Sequence, residues 1–402
     1  MPLSSGAINF RAYCWTVTVT ALCLVTAVVA MNYAVDPYYI HQWDTALLHR
    51  LSPAQQKIVP WAKTYAAYRY QPEIVYIGSS RAEIGLPTNF ELFKGKRVFN
   101  LALSGGTPDD AVDLLKHTSI FHRPEIVVWG VEYGWLFADV KGNTDFNRSL
   151  MATWPFYPLW RTLLNVKRSL ALDMTRDAVK ILAGLSEQTC LPILASYGQK
   201  SEQCLESIMS AEGGAAEAFA KAMKNGSKAD PPDYAISMEQ VAQGTLEFCQ
   251  YGTVFRIFIQ PNHALSELQH VPQWEDRENW ERALVALIDA RRQQGCDIRL
   301  VDFSGFNSIT TEAIPQKTGK KTMQYYWEQS HYRSGVGEKI LTKLFSPDSS
   351  TEPSDFGVEL NGKVIEQHLE NLRNARDRYI ETHPQETKHF QAKKSTPEQL
   401  PE

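Results

Sequence analysis

The chain has 402 residues, a formal net charge of -4 and a pI near 6.2. This length can bury one large domain or two to three small ones. A nucleic-acid-binding protein would carry a broad basic field, which this composition excludes.

An uncharged stretch covers residues 13–33, and within it residues 17–31 are almost all apolar or small. One bilayer crossing takes roughly 20 helical residues. We therefore predict a membrane helix over residues 12–34 and a segment 1–35 that combines a cytoplasmic N-terminus with an anchor.

The orientation of this anchor follows from the basic residues around it. Arg11 and the amino terminus precede the stretch, and the next Lys or Arg is Arg50. This bias predicts a single-pass protein with its N-terminus in the cytoplasm and the bulk of the chain outside it. A cleaved signal peptide ending at Val28-Val29-Ala30 is the alternative, and it also exports the folded part.

Four of the six cysteines lie in the predicted exported part, and an even number there permits two disulfides. Cys249 and Cys296 each end a predicted helix just before a predicted strand, so they would meet if those strands are neighbours. Cys190 and Cys204 would close a short loop. Four buried free thiols are the alternative. There is no C-x-x-C and no paired His/Cys spacing, so we predict neither a metal site nor a cofactor.

Beyond the anchor, short apolar runs bounded by turn residues alternate with stretches of helical period. The predicted strands cover residues 74–79, 97–103, 125–133, 253–261 and 297–303. Alternating strands and helices predict an α/β fold with a five-stranded, mostly parallel sheet covered by helices on both faces.

The predicted exported domain covers residues 36–345. Between its third and fourth strands lies an insertion, roughly residues 138–234, with an aromatic patch at 154–160 and a helix at 169–185. Such an insertion suits a lid or specificity element, or ordinary packing. Residues 346–402 form a charged tail, with an exposed helix at 366–381 and disorder from His383 onward.

Gly78-Ser79-Ser80-Arg81 directly follows the first strand. Parallel sheets gather ligands at the carboxyl ends of their strands. A serine hydroxyl there becomes a nucleophile if a base takes its proton and donors hold the developing oxyanion. The alternative is that Ser79 and Ser80 are turn serines capping the next helix.

Far downstream, Glu328 and His331 lie three residues apart before the last predicted helix of the domain. The carboxylate would fix the imidazole tautomer, as the acid of a catalytic triad does. Gly105, after the second strand, offers an open backbone N–H as an oxyanion donor. A surface histidine near a glutamate and an ordinary glycine turn are the alternatives.

Three further residues fall near the same predicted edge. Arg81 would bind a substrate carboxylate or an acyl-enzyme oxygen, or form a structural ion pair. Glu132 lies near the end of the third predicted strand, as a candidate residue of the oxyanion or substrate-binding site. His263 follows the fourth strand, where it would bind sugar, polarise a carbonyl, or have no role.

Together these motifs resemble the SGNH (GDSL-type) hydrolase superfamily over about residues 70–345. Gly78-Ser79-Ser80 matches the first block, the segment from Asn100 to Gly105 the second, and Glu328 to His331 the last. This chain has Ser79 and Glu328 where the family has aspartates, and its third strand lacks the asparagine of the third block. The resemblance implies a three-layer α/β/α, flavodoxin-like fold with Ser80, His331 and Glu328 as catalytic residues.

The G-S-S-R start, the V-D-P after the anchor and the S-H-Y close are similar to a membrane-anchored exported branch that includes alginate O-acetylation and teichoic-acid D-alanylation proteins. That similarity implies an esterase or O-acyltransferase for acyl groups of an envelope polysaccharide. Its implied partners are the polymer, an acyl donor and a membrane acyltransferase, and its implied location is the bacterial inner membrane, with a single pass and the bulk of the chain in the periplasm. The alternative is a non-catalytic glycan-binding or assembly component that keeps the fold.

Overall fold

The structure is a computed structural model that describes residues 9–38, 40, 59–133, 151–152, 156–185, 196–225, 234–270, 274–315, 322–346 and 353–387. Its helices and strands in chain order are α1 (Phe10–Val35), α2 (Val59–Tyr70), β1 (Ile74–Ile77), α3 (Ser80–Gly85), β2 (Val98–Asn100), α4 (Pro108–Phe121), β3 (Ile126–Val131), α5 (Tyr157–Ser169), α6 (Leu172–Leu182), α7 (Glu202–Ala211), α8 (Ala215–Asn225), α9 (Tyr234–Cys249), β4 (Val254–Ile259), α10 (Ala264–His270), α11 (Trp274–Gln293), β5 (Ile298–Asp302), α12 (Ser334–Phe345), β6 (Val358–Glu359) and α13 (Ile365–Thr382), with a 3₁₀ turn at Glu91–Phe93.

The strands form one sheet in the order β2-β1-β3-β4-β5-β6. β1 to β5 are parallel, and β6 pairs antiparallel with β5. The α/β class and the five predicted strands are confirmed. The sixth strand was not predicted, because two residues are too short to show a period-2 pattern. Parallel pairing brings the carboxyl ends of β1 to β5 to one edge of the sheet.

Helices cover both faces of the sheet. Val75, Ile77 and Trp129 belong to a buried cluster with apolar side chains of α2, α4, α9 and α11. The alternate residues Ile74 and Tyr76 point the other way, into a second cluster with side chains of α3, α8 and α12. Side chains of successive strand residues point to opposite faces, so both faces of these strands are apolar and buried.

Helix α1 is long and apolar enough to cross a membrane. Its C-terminal end contacts the insertion: the Asn32 side chain is buried and donates to the Ser169 carbonyl (2.8 Å) and to the Thr175 hydroxyl (2.9 Å). The insertion contributes α5 to α8, and the helix predicted at residues 169–185 is α6. Of the predicted aromatic patch at residues 154–160, residues 154 and 155 lie outside the described residues, whereas Tyr157 is buried and Phe156 and Trp160 are exposed.

The predicted disulfide between Cys249 and Cys296 is confirmed. It joins Cys249, the last residue of α9, to Cys296, which lies two residues before β5. The two Cα atoms are 5.3 Å apart. Cys190 lies outside the described residues, so its pairing with Cys204 stays a prediction.

The helix predicted near residues 366–381 exists as α13, but the expectation that it is exposed was wrong. Leu369 and Leu372 belong to the buried cluster on one face of the sheet, and His368 is buried as well. The charged residues of this helix hid a narrow apolar stripe with three- and four-residue spacing. The structure also continues helically past His383, over residues 384–387, and the predicted disorder beyond residue 387 lies outside the described residues.

Candidate active site

The turn after β1 requires glycine. Gly78 has φ +145°, and a Cβ there would lie 2.9 Å from the Gly130 carbonyl oxygen on β3. Ser79 then forms the N-cap of α3, its hydroxyl accepting from the Arg81 backbone N–H at 3.4 Å. Ser80 is the first residue of the helix and stays partly exposed. The two adjacent serines therefore have different surroundings: Ser79 caps, and Ser80 faces outward at the strand edge.

A tight antiparallel loop carries Glu328 and His331. Tyr326 and Tyr332 pair across it, and the Trp327 N–H donates to the His331 carbonyl oxygen at 2.8 Å. The loop leads directly into α12, whose first residue is Ser334. Its tip is thus fixed by its own backbone hydrogen bonds.

The structure brings Ser80, His331 and Glu328 together. The Ser80 Oγ lies 2.7 Å from the His331 Nε2, and the His331 Nδ1 is hydrogen-bonded to the Glu328 carboxylate. An ionised carboxylate only accepts hydrogen bonds, so the imidazole proton sits on Nδ1. Nε2 is then the acceptor for the Ser80 hydroxyl, which is the arrangement a general base needs.

The Glu328 carboxylate has several donors. Besides the imidazole, it accepts from the His331 backbone N–H (2.8 Å) and from the Ser330 hydroxyl (2.9 Å). Burial alone would raise the pKa of Glu328, but the hydrogen bond and charge of His331, together with the bonds from Ser330, outweigh it and lower the pKa to about 2. The group is therefore ionised at neutral pH and can orient the histidine.

Arg81 joins helix α3, which begins with Ser80, to the loop over residues 326–332 that carries His331. We call this loop the histidine loop. Its guanidinium forms an ion pair with Glu132, and its Nε donates to the Ser330 carbonyl oxygen at 3.1 Å. Both partners of the ion pair are largely buried. Of the two roles considered for Arg81, the structure shows the ion pair, and Glu132 serves as its counter-ion.

Close packing also fixes α3 against this loop. A Cβ on Gly85, the last residue of α3, would lie 2.0 Å from the ring of Tyr332. Only glycine lets Tyr332, the neighbour of His331, lie directly on the helix that begins with Ser80. Asn100 holds the other side of this helix, its amide donating to the Ala82 carbonyl oxygen at 2.8 Å.

Gly105 is exposed, with φ +68°, in the loop after β2. That loop packs beside the turn at Gly78, because the Leu103 N–H donates to the Gly78 carbonyl oxygen at 3.1 Å. Ser104 also donates to Glu83 of α3 at 2.6 Å. Gly105 thus lies in a loop adjacent to the Ser80 turn.

His263 is packed away from solvent. Its Nε2 bonds to the Glu312 carbonyl oxygen at 2.7 Å, and its Nδ1 accepts from the Leu265 N–H at 3.3 Å. Burial lowers its pKa, so the ring is neutral. With both ring nitrogens engaged, the predicted sugar- or carbonyl-binding role does not fit this geometry. Its backbone N–H instead supports the histidine loop, donating to the Gln329 carbonyl oxygen at 3.0 Å.

Gln260 was missed by the sequence reasoning. It is buried directly after β4, and its amide nitrogen lies 3.2 Å from the Ser79 hydroxyl and 3.4 Å from a Glu132 carboxylate oxygen. The Tyr332 hydroxyl donates to its amide oxygen at 3.3 Å. The signal available was a polar residue at the carboxyl end of a strand, but the predicted strand extended over it.

Within the described part of the chain, Glu281, Asp302 and His368 form one group with metal-ligand geometry. The His368 Nε2 already bonds to Asp302 at 2.7 Å, and the Arg277 guanidinium lies 3.0 Å from Glu281. His368 and Arg277 therefore supply the positive charge that a metal ion would otherwise bring to the Asp302 and Glu281 carboxylates. We interpret the group as a structural charge network between α13 and β5.

Comparisons with known proteins add little. No family model matches the chain, and no curated protein matches it. A solved structure named "a putative platelet activating factor from Streptococcus pneumonia" is similar over 73% of this chain and 93% of that chain, at 11% identity and a TM-score of 0.33. A likeness at that level carries no argument about either fold family or activity.

Proposed function

We propose that this protein is a membrane-anchored, exported serine esterase or O-acyltransferase of the SGNH type that acts on acyl groups of an envelope polysaccharide. The observation that carries the proposal is the hydrogen-bonded chain Ser80–His331–Glu328 at the carboxyl edge of the sheet. The strand order β2-β1-β3-β4-β5 supports the flavodoxin-like part of it, because this is the order of that doubly wound fold.

The proposed reaction has two steps. As the Ser80 Oγ attacks the carbonyl carbon of an acyl ester, the His331 Nε2 takes the hydroxyl proton, and Glu328 stabilises the imidazolium through Nδ1. The C–O bond to the leaving alcohol breaks, and His331 returns the proton to that oxygen. His331 then deprotonates water or a sugar hydroxyl, which attacks the acyl-Ser80 ester and regenerates the serine.

Two backbone N–H groups are the proposed oxyanion donors, those of Ser80 and Gly105. Oxyanion donors must be fixed before the charge develops. The N-cap at Ser79 and the ion pair of Arg81 hold the Ser80 turn, and Leu103 holds the Gly105 loop against it. Glu132 stands where the family has an amide, but its charge is neutralised by Arg81 and so would not repel an oxyanion.

The experiment is a covalent trap. The full-length protein in detergent is incubated with an activated acetyl ester and its intact mass is measured. One added acetyl group, mapped to Ser80 and absent from Ser80→Ala, supports the enzyme. A protein that binds acetylated glycan but never becomes acylated would instead be the non-catalytic binding component.

A further inference from the structure

The insertion helices α5 and α6 present an apolar stripe that the described part of the chain leaves exposed. On α5 and its C-cap residue Leu170 the stripe consists of Leu159, Leu163, Val166 and Leu170, each between 48% and 62% exposed. Their spacing of four, three and four residues places them on one face of the helix. On α6, Leu172 is 85% exposed, and Val179 and Leu182 continue the surface. All seven of these apolar side chains are thus about half exposed or more, and exposed apolar surface of this kind marks a membrane or protein interaction site.

The opposite face of this helix pair is fastened to the domain. Arg161 of α5 stacks on the ring of Tyr65, with 3.6 Å from the guanidinium carbon to the ring centre. On α6, Asp177 accepts from the Tyr38 hydroxyl at 2.9 Å, and Met174 is buried against Tyr38 and Tyr65. These contacts of the inner face orient the apolar stripe away from the domain.

The position of the stripe relative to α1 identifies what covers it. Helix α1 has 26 residues, about 39 Å at 1.5 Å per residue, whereas a bilayer core needs roughly 20 residues. A span that starts at Phe10 leaves the hydrocarbon core near residue 30. The contacts of α1 with the insertion come directly after that point: Met31 and Val35 pack against Ala178 and Ile181 of α6.

The residues around the stripe match a helix that lies in a membrane interface. Phe156 and Trp160 flank it, and both are exposed. Lys167 and Lys180 are exposed at its sides. An interfacial helix combines an apolar face carrying aromatic and leucine side chains with lysines whose charges reach the headgroups.

We propose that the α5–α6 pair lies on the membrane that α1 crosses, with the apolar stripe inserted at the boundary between headgroups and acyl chains. This inference rests on α1 spanning the bilayer, and it is independent of the chemistry at Ser80. The lipid surface would then fix the domain at a second point and hold its orientation relative to the membrane.

The test measures the depth of one labelled residue. The free cysteines of α1 are removed by Cys14→Ser and Cys23→Ser, and an environment-sensitive fluorophore is attached at Leu172→Cys. The full chain is reconstituted in vesicles of phosphatidylethanolamine and phosphatidylglycerol with or without brominated acyl chains. The matched control is a label at Ser207→Cys, on an exposed polar part of α7.

We expect brominated lipid to quench the label at residue 172 several-fold more than the label at residue 207. Adding Leu163→Glu and Leu182→Glu should reduce that quenching, while the melting temperature in detergent stays that of the parent because both positions are exposed. Equal, weak quenching at 172 and 207 would overturn the proposal. Protection of the 172 label in native membranes but not in pure lipid vesicles would also overturn it, assigning the stripe to a membrane-protein partner instead.

Discussion

Ser80, His331 and Glu328 perform different tasks in the proposed reaction, and their substitutions should separate accordingly. Removing the nucleophile by Ser80→Ala or the base by His331→Ala eliminates the covalent step. By analogy with triads elsewhere, we expect a loss on the order of 10⁶-fold in kcat for each. Both side chains are partly exposed, so the melting temperature should stay close to that of the wild type. Residual turnover near the wild-type rate in either variant would refute the assignment.

Glu328→Gln tests whether Glu328 orients the imidazole of His331, since Glu328 does not bond to the substrate in the proposed reaction. A glutamine amide can donate to Nδ1 and so stabilise the wrong imidazole tautomer. We expect a smaller loss, on the order of 10⁴-fold. Steady-state kinetics on an acetyl ester would measure it, and a loss equal to that of Ser80→Ala would argue against a role limited to positioning.

The sequence alone predicted that Ser80, His331 and Glu328 would converge. It did not predict the side-chain contacts that hold these three residues in place. Gly78, the strand end and the acid-x-x-His spacing are local signals. The ion pair between Arg81 and Glu132 joins residues distant in sequence, and the position of Gln260 depends on β4 being the neighbour of β3. Side-chain partners across strands follow from sheet order, which residue types alone do not specify.

Helix α3 and the histidine loop form one mechanical unit, and Gly85 is the contact between them. In Gly85→Ala the new methyl group would meet the Tyr332 ring at 2.0 Å, so the loop or the helix must shift. We expect a destabilisation of about 1–3 kcal/mol from overpacking, together with a marked loss of esterase activity. Chemical unfolding and ester kinetics would measure the two effects.

Gly335→Ala is the matched control, because a Cβ at that position of α12 meets no atom within 4 Å. Alanine has the higher helix propensity, so stability should rise slightly, by up to about 1 kcal/mol. If both variants behave alike, the close contact of Gly85 with Tyr332 does not govern the site.

Helix α13 is held to β5 by a buried histidine. Burial alone would lower the pKa of His368, but the hydrogen bonds that its ring donates to the Asp302 and Glu281 carboxylates, together with their negative charges, outweigh it and raise the pKa to about 9. The folded-state pKa is above the unfolded value of about 6.5, so the stabilisation is fully present below pH 6.5 and is lost as the pH rises through about 9.

His368→Ala leaves two buried carboxylates without this partner, and we expect a cost of about 3–5 kcal/mol near pH 6. The difference in unfolding free energy between wild type and variant should shrink between pH 6.5 and 9. Urea unfolding at a series of pH values measures it. A difference that stays constant across that range would show that the imidazolium is not what stabilises α13.

Over the whole molecule, the sequence predicted the alternation of strands and helices and the five parallel strands. It failed where the pattern was short or mixed. The two residues of β6 carry no period, and the charges of α13 masked the buried positions Leu369 and Leu372. One helix of the insertion was predicted, near residues 169–185, but the exposure of its leucines was not. The sequence alone does not distinguish exposed leucines from core leucines, and their outward position depends on the contacts of the insertion with α1 and α2.

The topology of the anchor makes a prediction for the whole chain. If α1 spans the membrane with its N-terminus in the cytoplasm, a reporter that works only in the periplasm should be active when fused after Phe345. A reporter that works only in the cytoplasm should be silent at the same position. The reverse result would contradict the orientation.

The proposed acyl-enzyme is the most direct test of the function as a whole. Intact-mass and peptide mass spectrometry after incubation with an activated acetyl ester should show one acetyl group on Ser80 of the wild type. The same treatment should leave Ser80→Ala unmodified and His331→Ala modified far more slowly. Acetylation at Ser79 or at scattered lysines, with Ser80 unmodified, would contradict the account of Ser80 as a nucleophile activated by His331.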